Sequence, residues 1–425
     1  MDEKKYQQYL SLLQRELIPA MGCTEPIALA YCGAAAQQAA GNPPPETLVE
    51  AAVLVSGNII KNVKSVIVPN TGGLRGIETA VAAGLVSGRQ DKLLEVLAEL
   101  PPERLPALHR LLERKVIRMA PADTESVLYI EIRLTYPRCT TRAILEGSHT
   151  GLVLLERDGV VLHRADPVEQ QIQHCPALTV GDIFDFAQSA DPADLEPVVG
   201  RQIDHNMAIA QAGMDQAWGA NVGKVLRRVG GESCRCLARA YAAAGSDARM
   251  SGCEMPVVIV SGSGNQGITA SVPVAVYAKA LGKSREDLLR AVALSDLVTI
   301  HQKTGIGCLS AFCGAVCAGC GAGAGVAYLE TRDYKTVTHT IVNALAVISG
   351  MVCDGAKPSC AAKIAAAVDA GLLGYEMYCQ GQQFLDGDGI VCKGVDNTIG
   401  NVGRMAKTGM RETDRVILEI MCGNR

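Results

Sequence analysis

Sulfur is the chemistry this chain carries in excess. Sixteen cysteines stand in 425 residues, and two of them frame the string Cys353-Asp-Gly-Ala-Lys-Pro-Ser-Cys360. Pro358 cannot extend a helix that begins before it but suits the first turn of a new one. Cys353 is therefore expected to close one element, and Cys360 to open a helix that runs to about Leu372. A thiol at a helix N-terminus meets free backbone N–H groups that favour the thiolate, the form that ligates metals. A third ligand must come from elsewhere, and the cluster of cysteines from Cys308 to Cys320 is the obvious source. Three thiolates on a cubane of four irons leave one iron open to a substrate heteroatom, which suits elimination rather than electron transfer.

Cys313, Cys317 and Cys320 also have the C-x3-C-x2-C spacing of radical S-adenosylmethionine enzymes. Those enzymes place the motif early in a barrel, whereas here it sits late, among Gly and Ala, with no alternating strands around it. Cys317 and Cys320 read as small core residues, since free cysteine is among the most buried residue types.

Near the N-terminus, Gly22 supplies backbone freedom, Thr24 can cap a following helix and Pro26 falls in its first turn, so the Cys23 thiol is expected beside a positive helix end. The loop Ser261-Gly-Ser-Gly-Asn-Gln-Gly267 offers clustered N–H groups with Ser263, Asn265 and Gln266, suited to a small carboxylate. It also contains G-x-G-x-x-G, but the acidic Glu286 and Asp287 fall in a helix start capped by Ser284 instead of ending a second strand, so a dinucleotide is not expected. Asn70, Thr71, Gly72 and Gly73 form a second polar loop that either holds substrate or simply turns the chain. His149, between Gly147 and Gly151, and Lys303, beside His301, read as structural.

These loops need elements to hold them. Helical patterns cover Tyr6 to Leu17 and Glu25 to Ala39, and a helical stretch from Glu46 leads to a strand-like Ser65 to Val68. Alternation marks Ser126 to Tyr136, Arg142 to Glu146, Gly151 to Glu156 and Val160 to His163, with Arg157 to Gly159 as a turn. Beyond the Asp, Ala and Pro-rich Ser189 to Pro197, long Gly-rich and Ala-rich helices take over. The expected fold is α+β, with a mixed α/β domain over 1–195 containing a small antiparallel sheet, then a mainly helical domain over 196–425. The uncharged run Ala311 to Leu329 is Gly-rich and Cys-rich rather than Leu-rich, and reads as a buried helix, not a membrane span.

Net charge is −4, and the chain lacks a run of five basic residues. Nucleic acid and anionic membrane are thus poor partners. The polar N-terminus lacks the features of an export signal, which predicts a cytoplasmic protein with reduced thiols rather than a disulfide framework. Aromatic residues make up only 4%, which favours closely approaching helix backbones over a bulky core. The expected partners are a small-molecule substrate and other copies of the chain.

Met21-Gly-Cys-Thr-Glu-Pro26, Pro69-Asn-Thr-Gly-Gly-Leu-Arg-Gly76, Ser261 to Gly267, Cys353 to Cys360 and Glu412-Thr-Asp-Arg415 stand in this order along the chain. Together they resemble the L-cysteine desulfidase family, whose helical domain is similar to the alpha part of iron-sulfur L-serine dehydratases. The resemblance, from about Glu16 to about Met421, implies a lyase that turns L-cysteine into pyruvate, ammonia and hydrogen sulfide. It also implies a 4Fe-4S cluster held by Cys313, Cys353 and Cys360, with Cys23 as catalytic base. Cys313 is taken over Cys308, Cys317 and Cys320 because Leu309 to Gly314 resembles the family's stretch. Thr24, Glu25, Asn70, Thr71, Gly72, Ser263, Gly264, Asn265 and Gln266 are then the expected substrate contacts. An L-serine dehydratase would use the same layout with hydroxide leaving, and a cluster-bearing sensor is the alternative from another class.

Overall fold

The computed structural model describes residues 1–167, 178–307 and 309–422. The first half alternates helices and strands: α1 (Glu3–Glu16), β1 (Pro19–Met21), α2 (Thr24–Ala39), β2 (Glu50–Val55), α3 (Gly57–Val63), α4 (Ile77–Ser87), α5 (Leu105–Glu113), β3 (Ile117–Pro121), β4 (Tyr129–Tyr136), β5 (Cys139–Glu146), β6 (Leu152–Arg157) and β7 (Val160–Arg164). The second half is nearly all helix: α6 (Val180–Ser189), α7 (Pro192–Leu195), α8 (Arg201–Asp215), α9 (Val222–Gly230), α10 (Cys234–Met250), the short β8 (Pro256–Val258), α11 (Gly264–Ala280), α12 (Arg285–Ile306), α13 (Gly314–Thr331), α14 (Tyr334–Ile348), α15 (Cys360–Cys379), α16 (Val395–Arg404) and α17 (Arg411–Cys422). The α+β class expected from the patterning is the one observed.

The larger sheet runs β3-β2-β4-β5-β6-β7, antiparallel except for the parallel pair β2 and β3. Two local expectations give way to it. The first part of the stretch after Glu46 forms strand β2 and not a helix, because Ala51 to Val55 bond to β3 on one side and β4 on the other, whereas its later part is the helix α3. A ladder on both edges overrides the helix preference of an Ala-rich stretch. Ser65 to Val68 forms no strand and contributes one isolated bridge, Ile67 to Arg75.

Small residues let the helices close up. A Cβ on Gly84 would fall 2.0 Å from the Ala30 carbonyl oxygen, so α4 and α2 touch backbone to backbone. The same holds where Gly319 of α13 would meet Ala367 of α15 at 2.4 Å. Low aromatic content is therefore a consequence of packing distance. The uncharged stretch becomes α13, buried from Ala315 to Leu329. Among the described residues no helix is long and apolar enough to cross a membrane.

Two links bring the halves together around one place. Strand β1 pairs antiparallel with β8, setting the chain that enters Cys23 beside the chain that enters the Ser261 loop. At the C-terminus, Asp414 of α17 pairs with the buried Lys61 of α3 at 2.5 Å. The Lys61 carbonyl in turn presses on Gly355, where φ is +93° and a Cβ would fall 2.2 Å from that oxygen. Only glycine meets both demands. Losing one partner of a buried pair strands the other charge, so Asp414→Ala is expected to cost about 3–5 kcal/mol in denaturant unfolding. The double change Lys61→Met with Asp414→Leu is expected to recover much of that loss. An equally severe loss in the double variant would overturn the charge explanation.

Candidate active site

One cavity of about 100 Å³ is walled by residues from widely separated segments, including Cys23, Thr24, Glu25, Asn265, Gln266, Cys313, Cys353 and Cys360. Each arrives for a local reason. Cys23 is the N-cap of α2, following Gly22, whose φ is +63°. Ser263 caps α11, its hydroxyl accepting from the Gln266 N–H, so the loop residues Gly264, Asn265 and Gln266 form the first turn. The segments before α13 and α15 pair with each other: the Cys313 N–H donates to Met351 O at 3.0 Å, the Cys353 N–H donates to Ala311 O at 2.6 Å, and Phe312 bridges Val352. This clamp holds Cys313 and Cys353 side by side. Cys360 opens α15 as expected, although the helix runs on to Cys379, and its Sγ lies 3.7 Å from Gly355 O.

The last two cysteines of the C-x3-C-x2-C string behave differently from the first. Cys317 and Cys320 are turned into the core, and the Cys320 thiol faces Ile341 O at 3.7 Å. Only Cys313 of the three reaches the cavity. Cys308, the other candidate in this cluster, lies outside the described residues.

Around Cys23 the polar contacts converge on Glu25. Its Oε2 accepts from the Cys23 thiol at 3.1 Å, and its Oε1 accepts from the Asn62 side-chain amide at 3.2 Å. The Thr24 hydroxyl lies 3.0 Å from both Glu25 Oε2 and Gly262 O, and its one proton serves one of them at a time. His149 Nε2 stands 3.9 Å from Glu25 Oε1, beyond hydrogen-bond reach, and has no hydrogen-bond partner among the described residues. Burial pushes the Glu25 carboxyl up, but the imidazole and thiol beside it outweigh that and hold it at about 2.

The position at a helix N-terminus does not make Cys23 a thiolate. Burial and the neighbouring Glu25 carboxylate push its thiol well above the usual range, and the Arg249 charge offsets this only in part. Cys353 goes the other way: the Cys313 thiol donates to it, and with the Lys61 and Lys363 charges and the Gly355 N–H this outweighs burial and favours the thiolate. Cys360 is raised by burial. Desolvation beats the helix dipole wherever water is excluded.

Asn70, Thr71 and Gly72 do not line this cavity. The Asn70 amide donates to Leu97 O at 2.7 Å and the Thr71 hydroxyl to Val68 O at 2.7 Å. Conversely, the wall contains Asn62, His149, Arg249, Lys303 and Lys363. His149 and Lys303 had read as structural, and Arg249 carries no local motif that marks it. A second cavity of about 380 Å³, lined by Leu12, Leu128 and Ile300 among others, shares His149, Ser261, Gly262 and Lys303 with the first.

Among the described residues no three His, Cys, Asp or Glu side chains are drawn tightly enough together to grip a single metal ion. Cys313, Cys353 and Cys360 line one cavity, with Cys313 and Cys353 side by side.

A family model described as serine dehydratase alpha chain matches residues 89–419. A UPF0597 protein of Desulfitobacterium hafniense is 51% identical over 99% of this chain and 97% of its own length. UPF0597 proteins of Lachnoclostridium phytofermentans and Treponema denticola are 45% and 42% identical, each aligned over 99% of its own length and over 98% and 99% of this chain. With the match covering most of the sequence, and with thiols from its helical half gathered at one cavity, this chain belongs to the serine dehydratase alpha chain family, a family of lyase type with which iron-sulfur clusters are associated.

Proposed function

We propose that this protein is an L-cysteine desulfidase, a carbon-sulfur lyase yielding pyruvate, ammonia and hydrogen sulfide. The observation that carries the reading is that Cys313, Cys353 and Cys360 share one small cavity with the Cys23 and Glu25 pair. The donor set is all thiol, and Lys363, whose ammonium donates to Val352 O at 2.8 Å, adds positive charge beside it. These residues fit a 4Fe-4S cluster. When bound by the three thiolates, such a cluster supplies an iron free of protein sulfur, a Lewis acid for the substrate heteroatom.

The chain's own residues handle position and protons. Asn265 and Gln266, at the first turn of α11, hold the amino acid. Cys23 takes the α-proton as its thiolate and returns it to the departing sulfide, while Glu25, ionised and 3.1 Å away, aims the sulfur. Asn62 and Thr24 keep the carboxylate aimed at the thiol. Burial keeps water from competing for these bonds. Loss of the α-proton and of sulfide leaves aminoacrylate, which tautomerises to an imine and hydrolyses to pyruvate and ammonia.

The family match favours a second reading, L-serine dehydration, in which hydroxide leaves from the same site. Anaerobically purified protein, assayed with each amino acid, decides between them. Equal amounts of sulfide and pyruvate from L-cysteine, formed faster than pyruvate from L-serine, are expected. Faster turnover of L-serine would make it a dehydratase, and no turnover of either would leave a cluster-bearing sensor.

A further inference from the structure

Arg249 is the next-to-last residue of α10 and is only 4% exposed. Burying a guanidinium is costly unless a carboxylate or several carbonyls pair with it. No Asp or Glu among the described residues forms an ion pair with Arg249, and its buried Nε has no hydrogen-bond partner. The cavity's own carboxylate, Glu25, is occupied by Cys23, Thr24 and Asn62. The guanidinium lies against Gly264, the first residue of α11, where a Cβ would fall 2.4 Å from Nε and 2.8 Å from Cζ. A buried cation and the N-terminus of a 17-residue helix thus meet at one wall of the cavity. On the same wall, Asn265 Oδ1 and Gln266 Oε1 are buried acceptors without donors among the described residues.

We propose that Arg249 anchors the substrate's α-carboxylate, while the Asn265 and Gln266 side-chain oxygens receive its α-ammonium. This rests on the reading of the cavity as an amino-acid lyase site and names what selects the substrate class there. One unpaired cation beside two unpaired acceptors complements a zwitterion, and neither a simple amine nor a simple acid satisfies both. A guanidinium presents a planar fork that matches a carboxylate, and the helix N-terminus adds favourable partial charge on the same side.

The test compares two probes that each lack one end of L-cysteine. 3-Mercaptopropionate keeps the carboxylate and thiol, and cysteamine keeps the amine and thiol. Calorimetric affinities are measured anaerobically for the whole protein and for Arg249→Gln. The variant is expected to lose roughly 10- to 100-fold in affinity for L-cysteine and 3-mercaptopropionate, the scale of one charged hydrogen-bonded contact, with cysteamine little changed. An unchanged affinity for 3-mercaptopropionate would overturn the proposal, as would an equal loss for cysteamine, which would mark Arg249 as support for the thiol site. If Arg249→Gln does not fold, Gly264→Ala tests the same idea, because its methyl displaces the guanidinium without deleting it, and the same selective loss is expected. The anchor and the desulfidase reading fail separately. Selective loss in a protein that makes no sulfide leaves the anchor standing, whereas sulfide production with an unaltered KM in Arg249→Gln leaves only the desulfidase.

Discussion

Replacing Cys353 with serine is expected to take the anaerobically prepared protein from about four irons per chain to almost none, with its broad visible absorption and lyase activity lost together. Cys313→Ser and Cys360→Ser are expected to do the same, since the three thiols line one cavity and no other cysteine among the described residues does so except Cys23. Cys317→Ala and Cys320→Ala are the controls. Both thiols are buried in the core and face away from the cavity, so these changes should cost some stability and leave iron bound. Iron and acid-labile sulfide analysis reads the outcome. Iron loss in Cys317→Ala and Cys320→Ala, with retention in Cys353→Ser, would remove the assignment and revive the C-x3-C-x2-C motif. The clamp between the Phe312 and Val352 segments adds a finer expectation. Because Cys313 and Cys353 are held together before anything binds, losing either thiol spoils the shared grip.

Cys23→Ala is expected to leave iron content intact while turnover falls by roughly 100- to 10,000-fold, the contribution of one general base. Glu25→Gln is expected to lower turnover as well, because the amide lacks the charge with which the carboxylate holds and aims the Cys23 sulfur. This second variant separates two schemes that Cys23 alone does not. If Cys23→Ala retains near-normal turnover and Glu25→Gln does not, the carboxylate removes the α-proton directly and Cys23 is a positioning residue. If Cys23→Ala loses iron, the thiol is a ligand and the base lies elsewhere. Substrate binding, followed by calorimetry with 3-mercaptopropionate, should change little in either variant, since neither removes the Arg249 charge.

Local strings carry most of the elements and the motif-bearing part of the site. Pro358 after Cys353 predicts a new helix at Cys360, and α15 begins there. Ser284 predicts the cap of α12, and its hydroxyl accepts from the Asp287 N–H. Alternation over Ser126 to His163 becomes four consecutive antiparallel strands. Such signals are readable because a cap, a proline or a period-two pattern acts within a few residues. The ordered motifs, with the stretch Leu309 to Gly314 for Cys313, likewise indicated Cys23, Glu25, Asn265, Gln266, Cys313, Cys353 and Cys360, which share the cavity wall.

What only the tertiary structure decided depends on contacts across long stretches of chain. Ala51 to Val55 is a strand because two partner strands bond it, a fact absent from its own composition. Among four closely spaced cysteines, Cys313 is the described one that faces the cavity, because its backbone pairs with Met351, while one helical turn later Cys317 is turned into the core. The charge state of Cys23 follows from how thoroughly water is excluded and from Glu25 beside it, so the helix terminus that its motif predicts does not prevail. Arg249 carries no local mark at all. It matters because folding buries its guanidinium at the start of α11 with no ion-pair partner among the described residues, and burial of a charge is a property of the surroundings rather than of the residue.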